Sequence, residues 1–206
     1  MAAKGYTTLA KVNQYTGKSL IQADVADLIL AAEKYIDKIT GRNFVADSAA
    51  SAKLFDGCGS DLILIDDCIE ITKVEKGSNS WGDSFAEVEA FVQETNNTGY
   101  LKLPTNYEAD GYPIKKLALR SSTWLAGHAN QRITAKWGYS ELVPADVSFA
   151  ATVMVSGMYM YGVGGAMGGV KSEKIGEYSV SYADKDGWAD FKKAQDILNS
   201  YVKFLI

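Results

Sequence analysis

The sequence has 206 residues, of which 47% are hydrophobic and 22% charged, and its formal net charge is -4. This composition is enough for a sizeable core and excludes a disordered or fibrous chain. The acidic balance, with a pI of about 5.1, argues against a dedicated DNA-binding protein. Two cysteines are too few for a disulfide framework, and the first residues contain no apolar stretch typical of a secretory signal. We therefore expect a cytosolic protein with reduced thiols.

The first part of the chain is predicted to form two helices. A short one follows Thr7 or Thr8, which would cap it, and ends at Gly17. In the second, Asp24 is the expected N-cap and Gly41 the left-handed C-cap. Between them, apolar residues recur at the spacing of a helix with one buried face, namely Val25, Leu28, Ile29, Ala32, Tyr35, Ile36 and Ile39.

After this helix the apolar period changes to two, which is typical of strands. The turns between them are rich in Gly, Asn and Asp, and frequent turns without intervening helices imply antiparallel pairing. The predicted strands are Lys53–Asp56, Asp61–Ile65, Ile69–Glu75, Phe85–Glu94, Tyr100–Leu103, Ile114–Arg120 and Arg132–Trp137. They indicate a β-module inserted between helices.

The last part of the chain returns to helix. Pro144 suits the first turn of a helix whose residues Val147–Tyr161 are apolar on nearly every side, so we expect this helix to be central. The run is shorter than the about 20 residues that a membrane span needs, and it is interrupted by small polar residues. Three of these lie four apart and would let a neighbouring helix approach closely: Ser148, Thr152 and Ser156.

A glycine-rich run at residues 162–169 ends this helix, and an extended segment follows it. In that segment apolar residues alternate with serines. A final amphipathic helix starts near Asp186 or Gly187. Together the elements predict an α+β fold: a helical bundle of three to four helices with an inserted antiparallel β-module. We expect residues 1–50 and 141–206 to form the helical core, residues 51–140 the β-module, and residues 170–183 the extended segment.

The motifs that would carry chemistry are weak. Lys171 and Ser172 follow the glycine run, but a phosphate-binding loop needs Gly directly before Lys-Ser and a strand before the loop. His128, the only histidine, is predicted to lie in a surface loop between strands rather than in a catalytic triad. One histidine and two cysteines are too few for a structural zinc site.

Acidic residues cluster in the first hairpin region, where Asp56, Asp61, Asp66, Asp67 and Glu70 lie close in sequence. They lack the spacing of a calcium-binding loop, and aspartates that hydrogen-bond their own turns explain them better. A catalytic carboxylate pair stays open, although nothing points to one. We predict no catalytic residue, no metal site and no cofactor, and a protein that is not an enzyme.

Two stretches about ninety residues apart resemble one protein family. Leu28–Phe44 is a helix that ends in Thr-Gly-Arg-Asn-Phe, and Lys136–Val147 passes from Trp-Gly-Tyr through Val-Pro-Ala-Asp-Val into the next helix. This order is similar to that of the head-to-tail connector (adaptor, head completion) proteins of tailed bacteriophages. Residues 54–64 resemble the first hairpin of that family, and residues 171–182 its extended segment before the last helix.

The resemblance implies a structural virion protein at the head-tail interface, assembled in the host cytoplasm. Members form a ring, usually of twelve copies, under the portal protein. The ring extends the DNA channel and provides the docking platform for a stopper or tail completion protein. An acidic wall is compatible with viral DNA passing through the lumen without specific binding. The resemblance brings no catalytic residue and no cofactor.

Two surfaces are predicted to meet partners. The first is a subunit interface on the extended segment, with an internal hairpin as the alternative, and its candidates are Ile175, Tyr178, Val180 and Tyr182. The second is a portal-docking end, with a tail folded onto its own core as the alternative, and its candidates are Tyr201, Phe204, Leu205 and Ile206. Two other functions stay open: a virion β-domain for decoration or for receptor or glycan binding, and a small hydrolase.

Overall fold

The structure is a computed structural model that describes residues 3–91, 99–160, 172–175, 178–181 and 187–203. The fold is α+β, as predicted. Its described elements are, in chain order, α1 (Leu9–Thr16), α2 (Gln22–Thr40), β1 (Ser51–Gly57), β2 (Leu62–Gly77), β3 (Phe85–Glu87), β4 (Tyr100–Leu103), α3 (Tyr107–Asp110), β5 (Ile114–Leu119), β6 (Gly127–Trp137), α4 (Ala145–Met158), β7 (Ser172–Ile175), β8 (Tyr178–Ser181) and α5 (Gly187–Asn199).

The chain divides into two compact units. The helical unit comprises Met1–Arg42 together with Val143–Ile206, and the β-unit comprises Asn43–Leu142. The helical unit is therefore built from two segments that are distant in sequence, whereas the β-unit is continuous. No helix in the described part of the chain is long and apolar enough to cross a membrane.

The ends of the first two helices follow capping rules. The Thr8 hydroxyl accepts a hydrogen bond from the Lys11 N–H, and Gly17 and Gly41 adopt the predicted left-handed conformation, with φ of 67° and 66°. Asp24 is not the N-cap, because α2 starts two residues earlier. Its carboxylate instead accepts the Ile21 N–H at 3.0 Å from the third helical position, which is the reciprocal half of a capping box.

Helix α4 lies at the centre of the helical unit, as its composition predicts. Helices α1, α2 and α5 all contact it. It begins at Ala145, so Pro144 occupies the N-cap position rather than the first turn. The predicted stripe of small polar residues does admit a close neighbour: the Thr7 and Thr152 hydroxyls lie 2.7 Å apart, and Lys11 Nζ donates to Ser148 Oγ at 2.7 Å.

The β-unit is one antiparallel sheet in the order β1-β6-β2-β5-β4, with β3 paired to the end of β2. The two strands predicted at residues 61–65 and 69–75 are a single strand, β2, which pairs with β5 through its first half and with β6 through its second half. Its register shifts between Leu64 and Cys68, where the change of partner occurs. The fourth predicted strand, Phe85–Glu94, is shorter than expected in its described part, since β3 ends at Glu87.

The core of the β-unit is a single apolar cluster. Trp124 is its largest fully buried member, and its indole N–H donates to the Leu117 carbonyl at 3.3 Å. The buried members are Ile63, Ile65, Cys68, Ile71, Val74, Tyr100, Ile114, Leu117, Leu119, Trp124, Ile133, Ala135 and Trp137.

Strands β7 and β8 form a separate two-stranded antiparallel sheet. Ile175 pairs with Tyr178, and Glu173 with Val180. The extended segment is thus, in its described part, a hairpin. The glycine-rich run at residues 162–169 lies outside the described residues.

Candidate interaction surfaces

The only histidine lies on a strand and not in the predicted loop, because β6 already begins at Gly127. Its Nδ1 is 3.3 Å from Asp56 Oδ2, and the side chains of the two residues are 75% and 68% exposed. The Ala129 N–H, which donates to Asp56, and His128 lower the pKa of the Asp56 carboxyl. A pair this exposed is solvated on most sides, which suits a surface contact. The described residues contain no group of three His, Cys, Asp or Glu side chains placed to hold a metal.

Acidic residues that cluster in the sequence of the first hairpin region contact different partners in the structure. Lys53 Nζ lies 2.8 Å from Asp66, and Lys136 Nζ lies 2.6 Å from Glu70. The Lys136 ammonium lowers the pKa of Glu70. Each of these two carboxylates forms an ion pair with a lysine of another strand.

The most enclosed ion pair of the β-unit joins Glu75 and Arg132, which are opposite each other on β2 and β6. Arg132 Nε and Nη2 each donate to the carboxylate at 2.7 Å, and the guanidinium also lies 4.3 Å from the centre of the Phe85 ring. Arg132, with help from Lys73, lowers the pKa of Glu75 to about 2. The sequence analysis missed this pair, because it depends on strand register. It fastens two central strands.

The predicted subunit-interface residues are placed by the register of the hairpin. Opposite and alternate residues of an antiparallel pair share a face, so Ile175, Tyr178 and Val180 lie on one face together with Glu173. The other face carries Ser172, Lys174, Ser179 and Ser181. Tyr182 lies outside the described residues. The backbone therefore gives the hairpin one mainly apolar face.

The predicted portal-docking residues divide into two groups. Tyr201 lies in the turn after α5, its hydroxyl donates to Asp146 at 2.7 Å, and its carbonyl accepts the Arg42 Nε–H. The Lys203 N–H donates to the Thr40 carbonyl at 2.8 Å. The chain is thus bound to the helical unit as far as Lys203. Phe204, Leu205 and Ile206 lie outside the described residues.

A buried carboxylate that the sequence analysis did not identify holds the start of the chain. Glu33 is 3% exposed, and its two oxygens accept backbone N–H groups of Lys4, Gly5 and Tyr6 at 2.8, 2.8 and 3.0 Å. One turn further along α2, Asp37 accepts the Lys4 ammonium at 2.6 Å and the Tyr6 hydroxyl. Glu33 lies four residues after Ile29 and three before Ile36, on the buried face of α2, and this spacing is the one signal that the sequence offers.

Exposed aromatic residues form two further surface features. Trp81 is 71% exposed on the turn between β2 and β3, where its backbone N–H donates to Asn79 Oδ1 at 2.9 Å. In the helical unit, the ring centres of Tyr15 and Phe149 lie 6.1 Å apart, and the two residues are 40% and 43% exposed. Exposed, fixed aromatic rings are typical anchors of protein interfaces.

Comparison with solved structures finds the same fold in phage-like particles. The chain is similar to a chain of the "Neck of empty GTA particle computed with C6 symmetry", with 12% identity and a TM-score of 0.56 over 100% of this chain and 94% of that one. A chain of the "Virion of native gene transfer agent (GTA) particle" gives 11% identity and a TM-score of 0.56 over the same shares. A chain of the "Neck of native GTA particle computed with C12 symmetry" gives 12% identity and a TM-score of 0.53, again over 100% and 94%.

No protein-family model and no curated protein sequence matches the chain. At this level of identity the likeness establishes a shared fold. It extends over the whole chain, so both the helical unit and the β-unit are included.

Proposed function

We propose that this protein is a structural subunit of the neck of a tailed phage or phage-like particle, a head-to-tail adaptor that forms a ring under the portal. The observation that carries the proposal is the fold likeness over 100% of the chain to chains of particle necks. Those necks were computed with C6 and C12 symmetry, which supports a ring of identical subunits here.

The two motifs that resemble the connector family also support the proposal, because they meet in space. The Tyr139 N–H donates to the Asn43 carbonyl at 2.8 Å, and the rings of Phe44 and Tyr139 lie 5.4 Å apart. Immediately before Tyr139, Gly138 has a φ of 141°, and a Cβ on this residue would lie 2.4 Å from the backbone of Ala46. Glycine is therefore required at the centre of the Trp-Gly-Tyr motif.

The proposed partners follow from this role. Twelve copies form the ring, the portal protein lies above it, and a stopper or tail completion protein docks below. Viral DNA passes through the lumen without specific binding, in keeping with the formal charge of -4. The ring assembles onto the head in the host cytoplasm and does no catalysis.

The direct test is imaging of the purified protein, alone and with the portal protein of its particle. Twelve copies of 22.3 kDa correspond to about 268 kDa. In the presence of portal we expect complexes heavier than the free portal by about that mass in mass photometry, and rings on the portal in electron microscopy. Particles that contain the protein but show no ring of it between head and tail would refute the proposal.

We further propose that residues 204–206 dock into the portal, while Tyr201 anchors the segment that precedes them. The bonds made by Tyr201 and Lys203 to the helical unit support this division. Deleting residues 204–206 should remove portal binding with little loss of thermal stability. The matched variant Tyr201→Phe, which loses the bond to Asp146, should lower stability slightly and keep portal binding. Full portal binding by the deletion variant would show that the tail has no docking role.

A second candidate function, a virion β-domain that binds a receptor or glycan, is favoured by one observation. Trp81 is exposed on a turn that Asn79 holds in shape, near the exposed pair Asp56 and His128. Aromatic rings beside amides and carboxylates suit stacking on sugars. Glycan binding by the purified monomer that disappears in Trp81→Ala, with normal rings, would support this function in addition to the first.

A further inference from the structure

The two edge strands of the six-stranded sheet differ in whether their outer backbone groups are already hydrogen-bonded. At β4 the outer edge is occupied, because the Phe91 N–H donates to the Tyr100 carbonyl at 2.8 Å and the Tyr100 N–H to the Glu89 carbonyl at 3.0 Å. Strand β4 is also short and is followed directly by Pro104, which has no N–H. At the other edge, β1 pairs with β6 alone among the described strands, and its two charged residues, Lys53 and Asp56, are already paired with Asp66 and His128. An edge strand with a free side presents N–H and C=O groups that another strand can bind.

The isolated hairpin has the complementary property. A two-stranded sheet by itself is marginally stable in water, so a third strand, or packing against another element, would stabilise β7 and β8. Strand β7 carries Glu173 and Lys174, and charged residues of this kind protect an edge from pairing. Strand β8 is Tyr-Ser-Val-Ser, uncharged and rich in residues that favour strands. Its outer edge is therefore the unprotected one.

We propose that β8 of one copy adds to β1 of the next copy, so that hairpin and six-stranded sheet join across each subunit boundary. The inference rests on the proposed ring and identifies its interface. The donor and acceptor edges are different surfaces, so the contact is head-to-tail and closes only through a ring. Backbone hydrogen bonds supply the affinity, as in other cases of strand addition.

The faces of the two strands agree with this pairing. Phe55 lies half-buried on the core face of β1, with its ring 5.6 Å from that of Trp137. A strand added beside it would extend this apolar face. The hairpin offers Tyr178 and Val180 on one face for that purpose and serines on the other. On the opposite face of β1, Ala52, Leu54 and Asp56 are exposed, a mixed surface beside which the serine side of β8 can lie.

Disulfide trapping tests the pairing directly. Ala52→Cys and Ser179→Cys are combined in a Cys58→Ser background, since Cys58 is exposed and would react. Cys68 can stay, because burial raises the pKa of its thiol to about 12 and keeps it protonated. Oxidised rings should give a ladder of covalent oligomers in denaturing gels. The control pair Leu64→Cys and Ser179→Cys should give no ladder, because Leu64 is exposed on β2, an interior strand.

The outcomes separate this inference from the proposed function. If the wild-type protein forms no rings with portal, the ring itself is refuted. If rings form and the Ala52–Ser179 pair gives no ladder, or only a bond within one chain, the strand addition is wrong and the ring stands.

A substitution gives an independent readout. Ser179→Pro removes a backbone donor from the outer edge of β8, because by the register of the hairpin the N–H groups of Tyr178 and Val180 face β7 and that of Ser179 faces outward. It should reduce ring formation by about tenfold or more, with the melting temperature of the monomer unchanged. The control Ser179→Thr keeps the donor and the strand preference, so its rings should form normally. Rings at wild-type yield from Ser179→Pro would overturn the pairing.

Discussion

The helical unit and the β-unit hold themselves together in different ways. The β-unit is one continuous segment, and a single apolar cluster around Trp124 fills it. The helical unit joins two distant segments, and hydrogen bonds between side chains and backbone hold its ends: the Glu33 carboxylate accepts from the first residues, and the Arg42 guanidinium donates to the last. Both units have apolar cores, but the unit assembled from separate segments also needs specific hydrogen bonds to hold the ends of the chain in place.

The largest expected effect is in the core of the β-unit. Trp124→Ala removes a fully buried side chain and its bond to Leu117, and should lower the free energy of unfolding by about 4 kcal/mol. Chemical denaturation followed by circular dichroism measures the loss. The neighbouring Leu125→Ala, at a position 37% exposed, should cost about 0.5 kcal/mol or less. Equal losses in the two variants would show that the cluster does not dominate this unit.

The next largest effect tests the hydrogen bonds by which Glu33 holds the first residues of the helical unit. Glu33→Gln replaces a carboxylate oxygen that accepts backbone N–H groups by an amide that donates, and should cost about 3 kcal/mol. Amide hydrogen exchange should become much faster at Gly5 and Tyr6. The control Asp37→Asn leaves these backbone bonds in place, so the two amides should stay protected. Unchanged exchange in Glu33→Gln would mean that the first residues are held by packing alone.

A smaller effect tests how much the Glu75–Arg132 ion pair contributes to the stability of the β-unit. Arg132 lowers the pKa of Glu75 from 4.5 to about 2, so the pair stabilises the fold fully above pH 4.5 and loses that contribution as the pH falls toward 2. Glu75→Gln should cost about 2 kcal/mol at pH 7 and progressively less in acid. Denaturation at several pH values measures this. Glu87→Gln, at a side chain 59% exposed, is the control with little effect at any pH. A cost independent of pH would argue against the ion pair.

The smallest pair of effects compares two glycines of the helical unit. Gly41→Ala forces a side chain into a left-handed conformation with φ of 66° and should destabilise by about 1 kcal/mol. Gly157→Ala, inside α4 with nothing within 4 Å of the added Cβ, should stabilise by about 0.5 kcal/mol or more. Melting temperatures should shift in opposite directions. A shift of the same sign in both would contradict the assigned role of Gly41 as a helix cap.

Local patterns in the sequence were sufficient for the helices. The apolar spacing of α2, the caps at Thr8 and Gly41, and the near-continuous apolar run of α4 each act within a few residues, so the sequence alone determined them. The small polar stripe likewise predicted a close neighbour of α4, and α1 occupies that place. The prediction of a loop around His128 is wrong, because β6 starts with glycine and histidine, which favour strands weakly and give no local strand signal.

Only the tertiary structure decided which segments meet. That β2 changes partner from β5 to β6, that Glu75 faces Arg132, and that Glu33 binds the start of the chain all depend on residues far apart in sequence. The same is true of the edges of the sheet. The sequence pattern predicts β1 and β4 alike as short strands, and only the tertiary structure shows that Glu89 and Phe91 bond to the outer side of β4, whereas β1 pairs with β6 alone among the described strands. Periodicity and capping fix the conformation of a segment. Register, partner choice and polar ties are fixed by the free energy of contacts between segments, which no local pattern encodes.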